Sequence, residues 1–265
     1  MRPPDLIASS IHTLLCDADG TLFASEEPAF DASVDVTNRC LARLGIDRRF
    51  TAVELRLGSS GKNFRATITE LAELYGVAIE DDEFRTALDG WVTEENEAVI
   101  AHLAEVLAPD PEVSSSLRRL SQQFELAVVS SSAQHRVDVC LEQTELSDLF
   151  AAKRRFSAQD SLPVPTSKPD PAIYQLAAER LQVSTHAIAV EDAAAGAESA
   201  VRAGLPTVGM LCFVPLEERA QRIRDLEDVG VVDTVTSWPA LERLLSLTRR
   251  APRRTDQTST VKVHP

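Results

Sequence analysis

Short apolar runs closed by polar residues recur along the chain, with helically spaced apolar positions between them. Leu14 to Cys16 ends abruptly in Asp17, Ala18, Asp19, Gly20 and Thr21. Such a run, bounded by turn residues, reads as a buried strand. The same form returns in Phe124 to Val129, which stops at Ser130, Ser131 and Ser132, and in Ala187 to Val190, which stops at Glu191 and Asp192. Weaker strand signals lie at Phe150 to Phe156, Thr207 to Leu211 and Val231 to Val235. The intervening helices carry Val113, Leu117 and Leu120, then Val137, Cys140 and Leu141, then Ile173, Leu176, Ala177 and Leu181, then Ala193 to Ala203 with a stop at Gly204. Strands alternating with helices predict an α/β fold with a parallel sheet flanked by helices.

One stretch breaks that rhythm. From about Glu26 to Leu107 the periodicity is helical only. Phe30, Val34, Leu41 and Leu44 fit one helix face, and Phe64, Ile68, Leu71 and Tyr75 a second with Gly76 as its stop. Phe84, Leu88, Trp91, Glu95 and Val99 fit a third, its middle weakened by the acid. Leu57 to Lys62 reads as a Gly/Ser-rich loop between the first two. The expected organisation is an α/β core from residues 1–24 and 108–248, and an inserted all-helical domain over 25–107. Residues 249–265, with Arg249, Arg250, Arg253 and Arg254, are expected to form a disordered basic tail.

Composition narrows the class. The 265 residues are 44% hydrophobic and 26% charged, as a globular chain should be. No apolar run approaches the roughly 20 residues of a membrane span, and Met1 to Ser10 lacks the apolar core of a signal peptide. A net charge of −14 argues against nucleic acid as a partner. It also supplies no long-range pull on an anion, so a phosphate site must rest on local cations or a metal. Cys16, Cys40, Cys140 and Cys212 are scattered without a CxxC pair, which predicts reduced thiols in a cytoplasmic protein rather than a zinc site.

The candidate chemistry sits at the strand ends. Two carboxylates, Asp17 and Asp19, one residue apart just past a strand, belong at the carboxyl edge of a sheet, where open α/β sheets bind ligands. Ser130, Lys168 in Ser-Lys-Pro-Asp-Pro, and Glu191 with Asp192 add complementary groups. The runs D-A-D-G-T-L-F, V-V-S-S-S, S-K-P-D-P and V-E-D-A-A-A-G, in that order, resemble the four motifs of the haloacid dehalogenase superfamily. More narrowly, they resemble its helical-cap phosphatases and β-phosphoglucomutase-like enzymes, over residues 11 to 245.

The resemblance implies a Rossmann-like core with an inserted helical cap, and Mg²⁺-dependent hydrolysis of a small phosphorylated metabolite, a sugar phosphate being one candidate. It makes Asp17 the nucleophile, in line with the ability of carboxylates to form aspartyl phosphates. Asp19 becomes the general acid/base, with Thr21 and Gly20 shaping its loop. Lys168 neutralises Asp17 and a phosphoryl oxygen, and Ser130 and Ser131 donate to phosphate. Asp17, Asp192 and the backbone carbonyl of Asp19 would hold the metal, with Glu191 behind them or linked through water. In the cap, Ser59, Ser60 and Lys62, with Arg65 beside them, are expected to face the substrate. The rival readings are a phosphosugar mutase and a catalytically silent binding protein on the same fold. The resembling mutases carry a linker histidine ten residues after the acid/base Asp and an arginine in the cap loop; this chain has Ala29 at the first place and Gly58-Ser59-Ser60-Gly61-Lys62 at the second, where Lys62 lacks arginine's bidentate fork.

Overall fold

The structure, a computed structural model, describes residues 11–59, 62–183 and 186–250. Six strands, β1 (Thr13–Cys16), β2 (Glu125–Ser130), β3 (Arg155–Ser157), β4 (Ala187–Glu191), β5 (Thr207–Met210) and β6 (Asp233–Val235), form one sheet in the order β3-β2-β1-β4-β5-β6. Every neighbouring pair is parallel, with Cys16 registered against Val128 on one side and Val190 on the other. The central strands β1, β2, β4 and β5 are buried on both faces, and β1, β2 and β4 accordingly read as apolar runs rather than alternating ones. Leu14 and Cys16 of β1 join Leu126, Val128, Ile188 and Val190 on one face. Leu15 joins Ala127, Val129, Ala187 and Ala189 on the other, as the two-residue period of a strand requires.

Helices cover both faces. On the first lie α5 (Pro111–Leu120), α6 (Gln134–Gln143) and α10 (Trp238–Arg250), which place Leu117, Val137 and Trp238 in the cluster of Leu14. On the second lie α7 (Ala172–Leu181) and α8 (Ala194–Arg202), through Ile173, Tyr174 and Ala200. Helix α9 (Leu216–Asp228) packs Leu226 against Ala197 and Leu211. Leu14 and Leu15 are fully buried, and each such side chain contributes about 1.5–3 kcal/mol over an exposed one.

Between β1 and α5 the chain makes only helices: α1 (Glu26–Arg43), α2 (Ala52–Ser59), α3 (Phe64–Leu74) and α4 (Asp82–Val106). They have a cluster of their own, with Val36, Cys40, Phe64, Ile68, Leu88 and Trp91. Ala29, Val99 and Leu103 instead belong to the cluster of the sheet. Asp81 caps α4 by accepting from the Glu83 N–H, and Asp110 caps α5, with Pro111 in its first turn.

Several sequence expectations need correction. Residues Leu57 to Ser59, read as loop, finish α2. The buried face of α1 is Ala29, Ser33, Val36, Thr37, Cys40 and Leu41 rather than the stripe through Phe30 and Val34, because part of that face looks into a polar cavity. Tyr75, placed on the apolar face of α3, is exposed. Arg249 and Arg250, assigned to a tail, close α10, while residues 251–265 lie outside the described residues.

Candidate active site

Because all six strands run the same way, β2, β1 and β4 deliver their carboxyl ends side by side. Ser130 ends β2, Asp17 follows β1, and Glu191 ends β4 with Asp192 next. The Asp17 N–H continues the ladder by donating to the Val190 carbonyl at 2.9 Å. The turn after it depends on Gly20, whose φ is +78°. A Cβ there would stand 2.6 Å from an Asp192 oxygen, so glycine alone lets the first loop lie against that carboxylate.

Lys168 lies under this edge, 1% exposed. Its ammonium donates to Asp17 Oδ1 at 2.5 Å, Glu191 Oε1 at 2.6 Å and the Val129 carbonyl at 2.8 Å, which uses all three protons. Burial opposes its charge, but Asp17 and Glu191 outweigh that and hold its pKa above the ordinary value. The Tyr174 hydroxyl also donates to Glu191 Oε1, at 2.5 Å. The Glu191 carboxylate packs so closely on Gly196 that a Cβ there would meet it at 2.0 Å. Asp192 accepts from the Thr21 hydroxyl at 3.2 Å and from Arg222, on α9, at 3.3 Å.

Asp17, Glu191 and Asp192 each offer an oxygen within 4.8 Å of the others. Burial is the main cause that pushes all three carboxyls upward. Glu26 and Asp17 add to the shift at Asp192, against Arg222. A buried all-oxygen set whose members resist ionisation together is the donor chemistry that a hard divalent cation relieves.

Asp19 faces the other way. Its Oδ1 accepts from Ser25 and, at 3.0 Å, from Arg136 at the start of α6; its Oδ2 accepts from the Ser132 hydroxyl at 2.7 Å. Burial would raise its pKa, but the Arg136 charge and these bonds win and hold it below the carboxylate range. Among the serines, Ser130 Oγ accepts the Ser132 N–H at 3.0 Å and Ser131 Oγ accepts the Lys168 N–H at 3.2 Å. The second bond fixes the lysine's backbone to the β2 loop.

A cavity opens between this edge and α1, α3 and α4. Asp17, Asp19, Ser130 and Ser131 line it from the sheet; Ser33, Thr37 and Glu95 line it from the helices, and Lys62 from the segment between α2 and α3. Asn63 closes the seam. Its carbonyl caps α3 by accepting the Ala66 N–H at 2.9 Å, while its amide donates to the Thr166 carbonyl at 2.8 Å. Lys62 is bonded to Glu70 at 2.6 Å and Arg65 to Asp89 at 2.5 Å. Ser59 is buried, its hydroxyl donating to the Leu55 carbonyl of its own helix at 2.5 Å, and it does not line the cavity. Ser60 lies outside the described residues.

Residues 11–204 match the family model of haloacid dehalogenase-like hydrolases, described as hydrolases. The chain belongs to this family. The uncharacterized protein in the fgs 3′ region of Lacticaseibacillus casei is 30% identical over 197 residues, 74% of this chain and 82% of its own length. Among solved structures, CbbY from Rhodobacter sphaeroides in complex with phosphate has a TM-score of 0.64 at 22% identity, covering 87% of this chain and 96% of its own. β-Phosphoglucomutase from Clostridium difficile has a TM-score of 0.64 at 17% identity, covering 89% and 98%. At these identities the structural likeness shows the hydrolase-family fold.

Arg136, Asn63, Glu95 and Tyr174 carry no motif signal. Only Glu95 left a trace, as the acid interrupting an apolar stripe.

Proposed function

We propose that this haloacid dehalogenase-like hydrolase is a Mg²⁺-dependent phosphomonoesterase, with Asp17 as nucleophile and α1–α4 as a cap over the site. The observation that carries this reading is the contact of Asp17 with Lys168 at 2.5 Å, inside a buried set of three carboxylates and beneath a cavity. Asp17, Asp192 and the carbonyl of Asp19 would hold the metal. Glu191, tied through Oε1 to Lys168 and Tyr174, stands behind them. When bound, Mg²⁺ supplies positive charge that lets two anions approach.

The chain's own residues do the rest. An Asp17 oxygen forms a bond to phosphorus as the P–O bond to the ester oxygen breaks, and that oxygen leaves with a proton which Asp19 must first take up from solvent against the pull of Arg136. Water then attacks the phosphoaspartate, giving its proton to Asp19 and releasing inorganic phosphate. Both Asp19 oxygens are engaged, so proton exchange requires Ser25, Ser132 or Arg136 to give way. Lys168 and the donors around Ser130 and Ser131 balance the phosphoryl charge.

Water is favoured over a sugar hydroxyl as acceptor. Ala29 lines the cavity with a methyl group where the resembling mutases use histidine, and Lys62 is bonded to Glu70. A reducing cytoplasmic setting is supported by four free cysteines, three of them buried. The test is phosphate release from a panel of phosphorylated metabolites with Mg²⁺. Activity should vanish on chelation and return with Mg²⁺; absence of release from every compound would overturn the reading.

A further inference from the structure

The cap wall of the cavity has an unusual charge balance. Glu95 of α4 is 5% exposed yet faces the cavity, hydrogen-bonded to Ser33. Glu26 lines the cavity too. The described lining residues include two cations, Lys62 and Arg136. Lys62 is bonded to Glu70, and Arg136 is bonded to Asp19 and lies in the field of Glu95. Two further polar atoms are buried here without a hydrogen-bond partner among the described residues: the Thr37 hydroxyl and Arg136 Nε.

We propose that Glu95 is a specificity-determining residue of this site, which accepts a hydroxyl of the leaving group and selects uncharged polyol monophosphates against compounds carrying a second anionic group. This rests on the hydrolase reading above. The reasoning is one of complementarity. The phosphoryl group is matched at the sheet edge by Lys168. The alcohol portion must then lie against Ser33, Thr37 and Glu95. A carboxylate or second phosphate placed there would meet Glu95 and Glu26, and would have to displace Glu70 or Asp19 to reach a cation. Like charges at short range in a partly enclosed site repel strongly. A hydroxyl instead finds an acceptor in Glu95, beside Ser33 and Thr37 on the same cavity wall. Were Glu95 to carry a proton, it would still offer no cation to a second anion.

The experiment compares matched pairs with the full chain and Mg²⁺: glucose 6-phosphate against 6-phosphogluconate, and glycerol 3-phosphate against 3-phosphoglycerate. p-Nitrophenyl phosphate serves as a reference without hydroxyls. The neutral member of at least one pair should have a kcat/KM at least tenfold above its acidic partner. Glu95→Gln, which keeps the shape, should shrink that ratio about tenfold, the scale of losing a hydrogen bond to a charged group. Thr37→Val should lower the neutral member relative to p-nitrophenyl phosphate. A buried residue with a merely structural role would lower all substrates together and leave the ratios in place. Acidic partners that match or beat the neutral ones, or a ratio untouched by Glu95→Gln, would overturn the proposal while the hydrolase reading stands. No release from any of these compounds, p-nitrophenyl phosphate included, would defeat the hydrolase reading and this inference with it.

Discussion

Glu95 occupies a place in α4 where its neighbours one turn away, Trp91 and Val99, are buried apolar residues. Burial is the main cause that raises its carboxyl pKa, and the Arg136 charge with the Ser33 bond only partly offsets it. A carboxyl raised in the folded state binds its proton more tightly there than in the unfolded chain. Its contribution therefore turns unfavourable as pH rises above the unfolded value of about 4.3. Glu95→Gln should consequently raise Tm at pH 7, and the gain should shrink as pH falls towards 4. Thermal melts of both proteins across that range test this; a gain that grows on acidification would contradict it. Asp17→Asn, by contrast, should abolish phosphate release while the protein stays folded, measured in material free of contaminating phosphatase. The two residues also differ in legibility. Asp17, Asp19, Ser130, Glu191 and Asp192 each end or follow a strand, so an apolar run ending in acid or hydroxyl exposes them. Arg136 meets Asp19 across 117 positions of sequence from a helix start with no local pattern, and nothing short of the fold brings them together.

At the scale of elements, helix α8 is set by what it must avoid. Gly196 lies in its first turn, and glycine in a helix ordinarily costs about 1 kcal/mol against alanine. Here a Cβ would meet the Glu191 carboxylate at 2.0 Å, with Lys168 and Tyr174 bonded to that same group. Gly196→Ala should therefore destabilise, by about 1–3 kcal/mol as an overpacked buried site does, rather than gain. Denaturant unfolding decides the sign. Glycine's role was invisible beforehand because only the folded sheet brings Glu191 over α8. Helices α2 and α9 went unread for a different reason: their buried faces include Arg56 and Arg222, so the apolar stripe that announces a helix is broken by cations. Helix α10 was not read either, whereas the strands, α1 and α3 to α8 were legible because buried strands leave apolar runs and amphipathic helices leave a periodic one.

In the whole molecule the first of these cations joins separate parts, and the second ties α9 to the sheet edge. Arg56 of α2 makes a two-bonded pair with Glu218 of α9, at 2.8 and 2.5 Å, with Arg56 almost wholly buried. One turn further along α9, Arg222 reaches both the backbone carbonyl and the side chain of Asp192. With Asn63 on Thr166, this gives the helical insert two polar fastenings to the sheet-bearing part. Arg56→Ala should loosen one of them. The expected result is a larger radius of gyration in solution scattering without substrate, and a raised KM. The hydrogen bond from Arg56 is the chief cause holding the Glu218 carboxyl below its ordinary value. A lowered carboxyl stabilises the fold above the unfolded pKa of about 4.3 and stops doing so as pH falls through the lowered folded value. The fastening should therefore persist at neutral pH and fail in acid, and the Tm difference between Arg56→Ala and the parent should fade there. An unchanged scattering profile at neutral pH would show that Asn63 and the remaining contacts suffice.

The position of β1 at the middle of the sheet has a consequence for descent. The insert leaves just after this central strand and returns at α5, so the residues that would perform the reaction and those that would choose its substrate occupy separate blocks of the gene. Recombination at two points, near Ala24 and near Pro109, would exchange one block for another without disturbing a single strand register. The seam limits which exchanges succeed: an incoming insert must bring a partner for Glu218, a group for Thr166 and something that tolerates Arg136. An exchanged insert would thus leave the sheet intact provided those few boundary positions are matched.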